Sequence, residues 1–324
     1  MKKLSVVVPV YFNQETLEAL HAQLQELTTH LPDDVVLEFV FVDDGSADDS
    51  RAILRAMAAR DKRVRLVFLS RNFGSFTAIL AGLNYASGDC TAIISADLQD
   101  PPGMIPQMYG RWLAGDKTVM AVRAKREDSW GARLFSSMAY SLLRRMALPT
   151  MPKGGFDFVL IDRQVKGVLI RTGERNTSLM GLIVWAGFRQ SQIPYTRRER
   201  AGGKSRWNFG KKLKYLIDSL LAFSYVPIRL MSAVGIIIGS AGFLYALVLI
   251  VMRLFQTFDV PGWTALMVVT LVLFGFLFLS LGIIGEYLWR TLDESRSRPV
   301  FIVEETVGIE RGTGAGVRED IPAT

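Results

Sequence analysis

The sequence predicts an α/β domain followed by two membrane-spanning helices. In the first half of the chain, apolar segments rich in β-branched residues alternate with segments of helical periodicity, a pattern typical of a parallel sheet covered by helices. In the second half, two segments of 23 residues each, residues 230–252 and 263–285, contain no charged residue. A chain of 324 residues is long enough to contain both parts.

The elements of the α/β domain are predicted in regular alternation. Strands are predicted at residues 4–10, 38–42, 64–69, 91–95 and 119–122. Helices are predicted at residues 14–31, 49–59, 76–86, 102–114 and 134–145. Because helices connect successive strands, we expect the strands to run parallel and their carboxyl ends to meet at one edge of the sheet.

The segment of residues 90–102 is the most informative one. Its apolar start predicts a buried strand, which ends in Ser95, Asp97, Gln99 and Asp100 before two prolines stop further strand pairing. With the two-residue period of a strand, Asp97 and Gln99 point the same way and offer two oxygen ligands to a hard divalent cation that holds a pyrophosphate. Taken alone, this segment fits a strand followed by a polar turn better, but the other strand ends favour a binding site.

Polar residues also follow the first two predicted strands. Tyr11 follows the first strand and could stack on a nucleobase, and Asp43 and Asp44 follow the second and could accept hydrogen bonds from a base or a ribose. Ordinary turn chemistry is the alternative for each of them. Three such ends converging on one sheet edge favour a nucleotide site.

The sequence becomes basic after the fifth strand. Arg123 and Arg133 could clamp a phosphate, because guanidinium groups match phosphate oxygens, although solvated surface charges fit their spacing equally well. Asp157 lies near the start of a further predicted strand, residues 154–161, and is either catalytic or a paired edge charge. Residues 196–214 carry eight basic residues and one acidic residue, and residues 200–206 have the composition of a flexible phosphate-binding loop.

Composition narrows the possible partners. The net charge of +7 predicts anionic partners, either nucleic acid or phospholipid. The single cysteine, Cys90, excludes a disulfide framework; on an apolar strand we expect it in the core rather than as a nucleophile. His21 and His30 lack metal-ligand spacing and are expected at the surface. The two apolar segments decide for a membrane and against a nucleic-acid partner.

The two apolar segments predict a transmembrane hairpin. Each is long enough to cross a hydrocarbon core of about 30 Å at about 1.5 Å per residue. Basic residues flank the hairpin, whereas the link at residues 253–262 holds only Arg253, so we expect the α/β domain and both termini in the cytoplasm. The amino terminus also lacks the long apolar region of a signal peptide. Glycines in both segments allow close helix contact, either within the hairpin or between subunits of a homo-oligomer.

These observations predict four regions. They are a catalytic domain (residues 1–205), amphipathic juxtamembrane helices in the membrane interface (residues 206–228), two transmembrane helices (residues 229–290) and a cytoplasmic carboxyl-terminal segment (residues 291–324). Within the last region, residues 301–303 could return as an edge strand, and residues 312–324 have the composition of a disordered tail.

Five motifs in this order resemble one known group of enzymes. They are Val-Pro-Val-Tyr at residues 8–11, Val-Asp-Asp-Gly-Ser at 42–46, Arg-Asn-Phe-Gly at 71–74, Ala-Asp-Leu-Gln-Asp-Pro-Pro at 96–102 and the basic segment at 200–206. Together they resemble the family-2 glycosyltransferases that load polyprenyl phosphates, the group of dolichol-phosphate mannosyltransferase and the undecaprenyl-phosphate sugar transferases. The resemblance covers roughly residues 4–303.

The resemblance implies a fold, a reaction and a location. The fold is GT-A, a Rossmann-like α/β domain, and the enzyme is an inverting hexosyltransferase that uses Mg²⁺ or Mn²⁺. The donor is a nucleotide-diphosphate sugar, here expected to be a UDP-sugar, and the acceptor is undecaprenyl phosphate. The reaction takes place at the cytoplasmic face of the bacterial plasma membrane.

The resemblance also implies roles for individual residues. The nucleotide site comprises Pro9, Tyr11, Asp43, Asp44 and Ala96. The metal site comprises Asp97 and Gln99, and the acceptor phosphate site comprises Arg123, Arg133 and Ser137. The mobile loop that closes over donor and acceptor contains Arg200, Lys204, Ser205 and Arg206. The catalytic carboxylates are Asp97 and Asp157.

Two positions depart from the family pattern, and the sequence also leaves two rival functions open. Ser95 stands where the family usually has an aspartate, and Gln14 stands where relatives often have glutamate. One rival is a processive polysaccharide synthase, but this chain lacks the glutamine of the Gln-Xaa-Xaa-Arg-Trp motif before Arg206 and has too few spans to enclose a polymer channel. The other is a non-catalytic membrane adaptor with a GT-A fold, for which Ser95 is the best support. The sequence leaves the sugar and the downstream glycan open.

Overall fold

The computed structural model describes residues 1–124, 130–172, 174, 177–197, 209–255, 262–296 and 298–309. Its strands are β1 (Lys2–Val10), β2 (Val35–Asp43), β3 (Val64–Leu69), β4 (Cys90–Ile93), β5 (Thr118–Arg123), β6 (Phe158–Asp162), β7 (Gln190–Tyr195) and β8 (Val303–Val307). Its helices are α1 (Leu17–Gln25), α2 (Ser50–Arg60), α3 (Ser75–Tyr85), α4 (Ile105–Leu113), α5 (Trp130–Met146), α6 (Arg163–Thr172), α7 (Leu179–Trp185), α8 (Phe209–Phe223), α9 (Val226–Phe255) and α10 (Trp263–Ser295). Short 3-10 turns cover Glu26–Thr29 and Pro102–Met104.

All the described strands join one sheet in the order β7-β5-β6-β4-β1-β2-β3-β8. The five strands predicted first are all present, and β1 pairs in parallel with both β2 and β4 at the centre of the sheet. The sheet is not wholly parallel, because β6 runs antiparallel between β4 and β5, and β8 runs antiparallel along β3. The apolar pattern of a buried strand is the same in both directions, so the sequence did not reveal these reversals.

The structure adds elements that the sequence analysis left unassigned. They are α6, α7 and β7, which lie between β6 and the basic segment. β7 begins with the polar residues Gln190, Ser191 and Gln192 and contains Pro194. A proline is tolerated within a strand at the edge of a sheet, and β7 is the edge strand beside β5.

The core lies between the sheet and its helices. Most apolar residues of β1 and β2 are fully buried, and Gly82 lets α3 approach the sheet, since a Cβ there would lie 2.4 Å from Val7 Cγ1. Cys90 is fully buried, as predicted, and burial raises the pKa of its thiol, which disfavours a nucleophilic thiolate. The surface prediction for His21 is wrong. It lies on the same face of α1 as Leu17 and is buried, with Nε2 3.1 Å from Asp61 Oδ2.

A buried carboxylate, Glu38, lies in the amino-terminal half of β2, away from the carboxyl ends of the strands where the site is predicted. It accepts hydrogen bonds from Ser5 Oγ (2.5 Å) and Ser87 N (2.8 Å) and pairs with Lys3 (3.0 Å) and Arg65 (2.9 Å). Burial by itself raises the pKa of Glu38, but the hydrogen bonds outweigh burial and hold that pKa below its ordinary value of 4.5.

We therefore expect Glu38 to make stability depend on pH. Because its pKa is lower in the folded chain than in the unfolded chain, its stabilisation is complete above about pH 4.5 and is lost as the pH falls through the folded value. The Glu38→Gln variant should be about 2–3 kcal/mol less stable at pH 7, because Lys3 and Arg65 lose their carboxylate partner. Thermal unfolding in detergent at pH 7 and pH 4 measures both effects. A variant as stable as the wild type at pH 7 would contradict this role.

The membrane part consists of α9 and α10, which are long and apolar enough to cross a membrane over Val226–Val251 and Ala265–Ser295. Both helices extend past the predicted segments of residues 230–252 and 263–285. The chain divides into two compact units, one of Met1–Ser219 with the residues from Pro299 onward, the other of Leu220–Arg298. Within the second unit, Tyr287 donates a hydrogen bond to the Ser224 carbonyl (3.5 Å).

Candidate active site

The carboxyl ends of β1, β2 and β4 lie side by side. The strand pairing places Val10 beside Asp43 and Val7 beside Ile93. Tyr11 and the loops after Asp43 and Ile93 therefore occupy one edge of the sheet, where α/β sheets bind ligands. Of the other residues predicted for the nucleotide, Pro9 lies within β1, and the carbonyl of the buried Ala96 accepts a hydrogen bond from Thr16 Oγ1 (2.6 Å).

Asp43 is fully buried and holds the loop that follows it. Its carboxylate accepts hydrogen bonds from the Ser46 backbone amide (3.2 and 3.3 Å) and from Arg51 Nε (2.8 Å). Gly45 in this loop has a φ of +71°, and a Cβ there would lie 2.7 Å from the carbonyl carbon of Arg71. Asp43 thus holds the backbone of the predicted nucleotide loop through the Ser46 amide.

Asp44 joins this loop to the loop after β3. Its two carboxylate oxygens accept hydrogen bonds from the backbone amides of Phe73 (2.7 Å) and Gly74 (2.9 Å), which belong to the Arg-Asn-Phe-Gly motif. Its own amide donates to the carbonyl of Val10 (2.9 Å). Burial raises the pKa of Asp44, although the two backbone hydrogen bonds oppose that rise. The contacts of Asp44 therefore link the ends of β1, β2 and β3.

Tyr11 is partly exposed beside these loops, with 36 % of its surface accessible. Its ring packs edge-on against Phe12 at a centroid distance of 4.7 Å. Phe12 has a left-handed φ of 57°, which is uncommon for an aromatic residue, and its amide donates to Ser46 Oγ (3.0 Å). Gln14, noted in the sequence analysis as a departure from the family pattern, accepts a hydrogen bond through Oε1 from the Asp49 amide (3.0 Å) at the start of α2.

The loop after β4 differs from the sequence prediction. β4 ends at Ile93, and Leu98 has a left-handed φ of 61°, so residues 95–100 form a tight turn rather than the end of a strand. Asp97 and Gln99 therefore do not share a strand face, and that prediction is wrong. The turn instead brings the Gln99 amide to Asp97 Oδ1 (3.2 Å), and Ser95 Oγ lies 2.6 Å from that same oxygen.

Asp100 is the central buried acid of this edge, although the sequence analysis gave it no role in the site. It is fully buried, and its carboxylate oxygens accept hydrogen bonds from Tyr195 (2.5 Å) and Ser95 (3.0 Å). Arg197 Nε lies 3.7 Å away. Burial raises the pKa of Asp100, while these neighbours oppose the rise. Burial and the nearby Asp100 also raise the pKa of Tyr195, which keeps its hydroxyl protonated.

Arg123 and Asp157 form an ion pair at the same edge. Arg123 ends β5 beside Tyr195 of β7 and is hydrogen-bonded to the Tyr195 side chain, while Asp157 directly precedes the antiparallel β6. Burial disfavours the charge on Arg123, but Asp157, Tyr195 and Asp100 outweigh it and raise the Arg123 pKa. Asp157 is about half exposed, so the pair faces the open side of the site.

Of the residues predicted to bind the acceptor phosphate or to form the mobile loop, the structure describes only some. Ser137 is exposed on α5, and Arg133 lies one turn before it on the same helix. The loop residues Arg200, Lys204, Ser205 and Arg206 lie outside the described residues. Arg197, close to Asp100, is the last described residue before them.

The oxygen ligands at this edge suit a divalent cation shared with a substrate. In the described part of the chain, no group of three or more His, Cys, Asp or Glu side chains is arranged to hold a metal by itself. Asp97 and Gln99 supply oxygen atoms on a tight turn beside the predicted nucleotide loops. Mg²⁺ in particular is usually bound by one or two carboxylates together with substrate phosphates. The residues present therefore fit such an ion.

Comparison with known proteins decides the family. The family described as Glycosyl transferase family 2 matches residues 5–166, half of the chain. The chain belongs to this family. It is therefore a glycosyltransferase, and the predicted family, enzyme class and GT-A fold are confirmed.

Two glycosyltransferases are similar to this chain over almost its whole length. A glycosyltransferase of Bacillus subtilis, YkcC, is 38 % identical over 94 % of both chains. The bactoprenol glucosyl transferase of Shigella phage SfV is 33 % identical over 93 % of this chain and 98 % of its own. A solved structure, glucosyl-3-phosphoglycerate synthase from Mycobacterium tuberculosis with Mn²⁺ and UDP-glucose, is 23 % identical, covers 68 % of this chain and 78 % of its own, and has a TM-score of 0.46.

Proposed function

We propose that this family-2 glycosyltransferase moves a sugar from a UDP-sugar to undecaprenyl phosphate at the cytoplasmic face of the bacterial plasma membrane. The observation that carries the proposal is the single edge at which the Asp97 turn and the Arg123–Asp157 pair meet, joined through Asp100 and Tyr195. The phage relative named as a bactoprenol glucosyl transferase and the two membrane-length helices support a lipid acceptor.

The proposed reaction is a displacement at the anomeric carbon. An oxygen of the lipid phosphate bonds to that carbon while the bond from the carbon to the diphosphate oxygen breaks with its electron pair. The nucleoside diphosphate leaves, and the configuration inverts. A phosphate monoester has a second pKa near 6, so at neutral pH the acceptor is largely a dianion and needs no strong general base.

The main task of the site is then to control negative charge. A divalent cation bound at Asp97 and Gln99 would offset the repulsion between two phosphate-bearing substrates and the charge on the leaving diphosphate. Arg123 and Arg133, with Ser137, would hold the acceptor phosphate, and the loop arginines would add further positive charge. We propose that Asp157 orients Arg123 and the acceptor rather than abstracting a proton.

One experiment tests the proposal against its rivals. The purified chain in detergent is given undecaprenyl phosphate, Mg²⁺ or Mn²⁺, and in turn UDP-glucose, UDP-N-acetylglucosamine and GDP-mannose. We expect lipid-dependent release of a nucleoside diphosphate and one sugar per lipid. A growing polymer would indicate a processive synthase, and no transfer with any donor would indicate an adaptor. Either result would overturn the proposal.

The proposed topology places the α/β domain and both chain termini on the cytoplasmic side. The excess of basic residues on both flanks of the hairpin supports this orientation. Labelling of cysteines introduced near either terminus, with reagents that cannot cross the membrane, tests it in intact cells. Assembly into a homo-oligomer stays a prediction from the glycines of the two helices.

A further inference from the structure

The strand that follows the membrane helices returns to the sheet beside the nucleotide loops. β8 pairs antiparallel with β3, with Val307 opposite Leu66, and the amide of Ser70 donates to the carbonyl of Ile302 (3.0 Å). Along the chain, β8 comes directly after α10. A segment beyond the hairpin therefore covers the free edge of β3.

Two similar ion pairs connect β8 to α2. Glu304 pairs with Arg51 (2.8 Å) and Glu305 with Arg55 (2.5 Å), and both arginines lie over the ring of Phe68. The two glutamate side chains are alike in their access to solvent (52 % and 43 % exposed), whereas Arg51 (26 %) is less exposed than Arg55 (48 %). Exposed pairs of this kind contribute little to stability. The two glutamates can therefore be compared directly.

The two arginines differ in what else they contact. Arg51 also donates to the fully buried Asp43 through Nε (2.8 Å) and to the Leu69 carbonyl through Nη2 (3.0 Å). Asp43 accepts from the Ser46 amide, and Ser46 Oγ accepts from the Phe12 amide. A continuous series of contacts therefore runs from Glu304 to the residue beside Tyr11. Arg55 lies one helical turn farther along α2.

We propose that Arg51 and Glu304 are positioning residues for the nucleotide site, an inference that rests on the proposed function. The left-handed backbone of Phe12 is strained and persists only where its surroundings hold it. Ser46 supplies one of the bonds that hold it, and Asp43 and Arg51 hold Ser46. Glu304 fixes the far side of the Arg51 guanidinium. Loss of Glu304 lets Arg51 turn away, loosens the loop after β2 and leaves Tyr11 less well placed for a base.

The test compares Glu304→Ala with Glu305→Ala in the full-length chain in detergent. Affinity for UDP and for GDP is measured by calorimetry with Mn²⁺ present. We expect Glu304→Ala to weaken binding of the preferred nucleotide by about threefold to tenfold and Glu305→Ala to leave it unchanged. Arg51→Ala should weaken binding at least as much, and Glu304→Ala should add nothing further in that background. KM for the lipid acceptor should stay the same in both glutamate variants.

The outcomes separate this inference from the proposed function. Equal weakening by the two glutamate variants, or full additivity with Arg51→Ala, would overturn the positioning role while nucleotide binding by the wild type stands. A wild-type chain that binds neither UDP nor GDP would instead overturn the proposed donor, and this inference with it. Where Glu304→Ala lowers the unfolding temperature more than Glu305→Ala, Glu304→Gln preserves the side-chain size, and the same loss of affinity is expected.

Discussion

Replacing Asp97 by alanine should abolish sugar transfer while leaving the fold intact. Asp97 lies on the tight turn after β4, where its carboxylate accepts hydrogen bonds from Ser95 Oγ (2.6 Å) and the Gln99 amide (3.2 Å). Its loss removes the one carboxylate that we assign to the cation. We expect turnover to fall by roughly a thousandfold, because the charge on the leaving diphosphate is no longer offset. Nucleoside diphosphate release with undecaprenyl phosphate present measures the effect.

Asp89→Ala is the control for this substitution. Asp89 lies at the opposite end of β4, where it accepts a hydrogen bond from the Lys3 amide (2.9 Å). We expect the control to retain wild-type turnover at temperatures where it is folded. Asp97→Ala turnover within tenfold of the wild type, with both proteins folded, would show that Asp97 does not hold the cation.

Ser95 makes the dependence on Asp97 sharper. By the resemblance given in the sequence analysis, an aspartate is expected at this position, and with serine there Asp97 is the one carboxylate left of the expected pair. Its hydroxyl lies 2.6 Å from Asp97 Oδ1 and 3.0 Å from Asp100 Oδ2 and can donate its proton to one of them at a time. A carboxylate at this position would place three acids in contact, because Asp97 and the buried Asp100 both lie against it. Serine avoids that repulsion and joins the Asp97 turn to the Tyr195 side of the site.

The sequence predicted what depends on local pattern. Strands such as β3 have a short apolar run with clear ends, and the charge-free segments are long enough to cross a membrane. Both features are properties of consecutive residues. They therefore appear in the sequence without knowledge of how the chain is packed.

The sequence did not predict what depends on residues far apart in the chain. Asp100 has its role because Tyr195, which is 95 positions away in the chain, donates a hydrogen bond to it. Tyr195 ends β7, which was not predicted as a strand because it contains polar residues and Pro194. Arg51 meets Glu304 only because β8 returns after the membrane helices. The turn at Leu98 was not predicted, because leucine rarely adopts a left-handed backbone and nothing in the sequence marks one here. The only sequence feature that pointed to Asp100 was its position in the polar segment of residues 95–100.

The Asp157→Asn variant should lose much of its activity without changing the pH dependence of what remains. Asp157 pairs with Arg123, which is also hydrogen-bonded to Tyr195. Asparagine keeps the size of the side chain but loses the charge that pairs with the Arg123 guanidinium, which we propose binds the acceptor phosphate. We expect a loss of about a hundredfold in kcat/KM for the lipid. Asp162→Asn, at the opposite end of β6 and bonded to Trp112 and Lys117, is the control and should retain wild-type turnover.

The ratio of wild-type to variant rates across pH separates orientation from proton abstraction. The acceptor phosphate keeps its second proton below about pH 6 and has lost it at pH 8. If Asp157 only orients Arg123, the ratio should be the same at pH 5.5 and pH 8. If Asp157 removes a proton from the acceptor, the variant should be penalised far more at pH 5.5, where that proton is still present. A ratio that grows as the pH falls through 6 would therefore make Asp157 the general base and overturn its assignment as a positioning carboxylate.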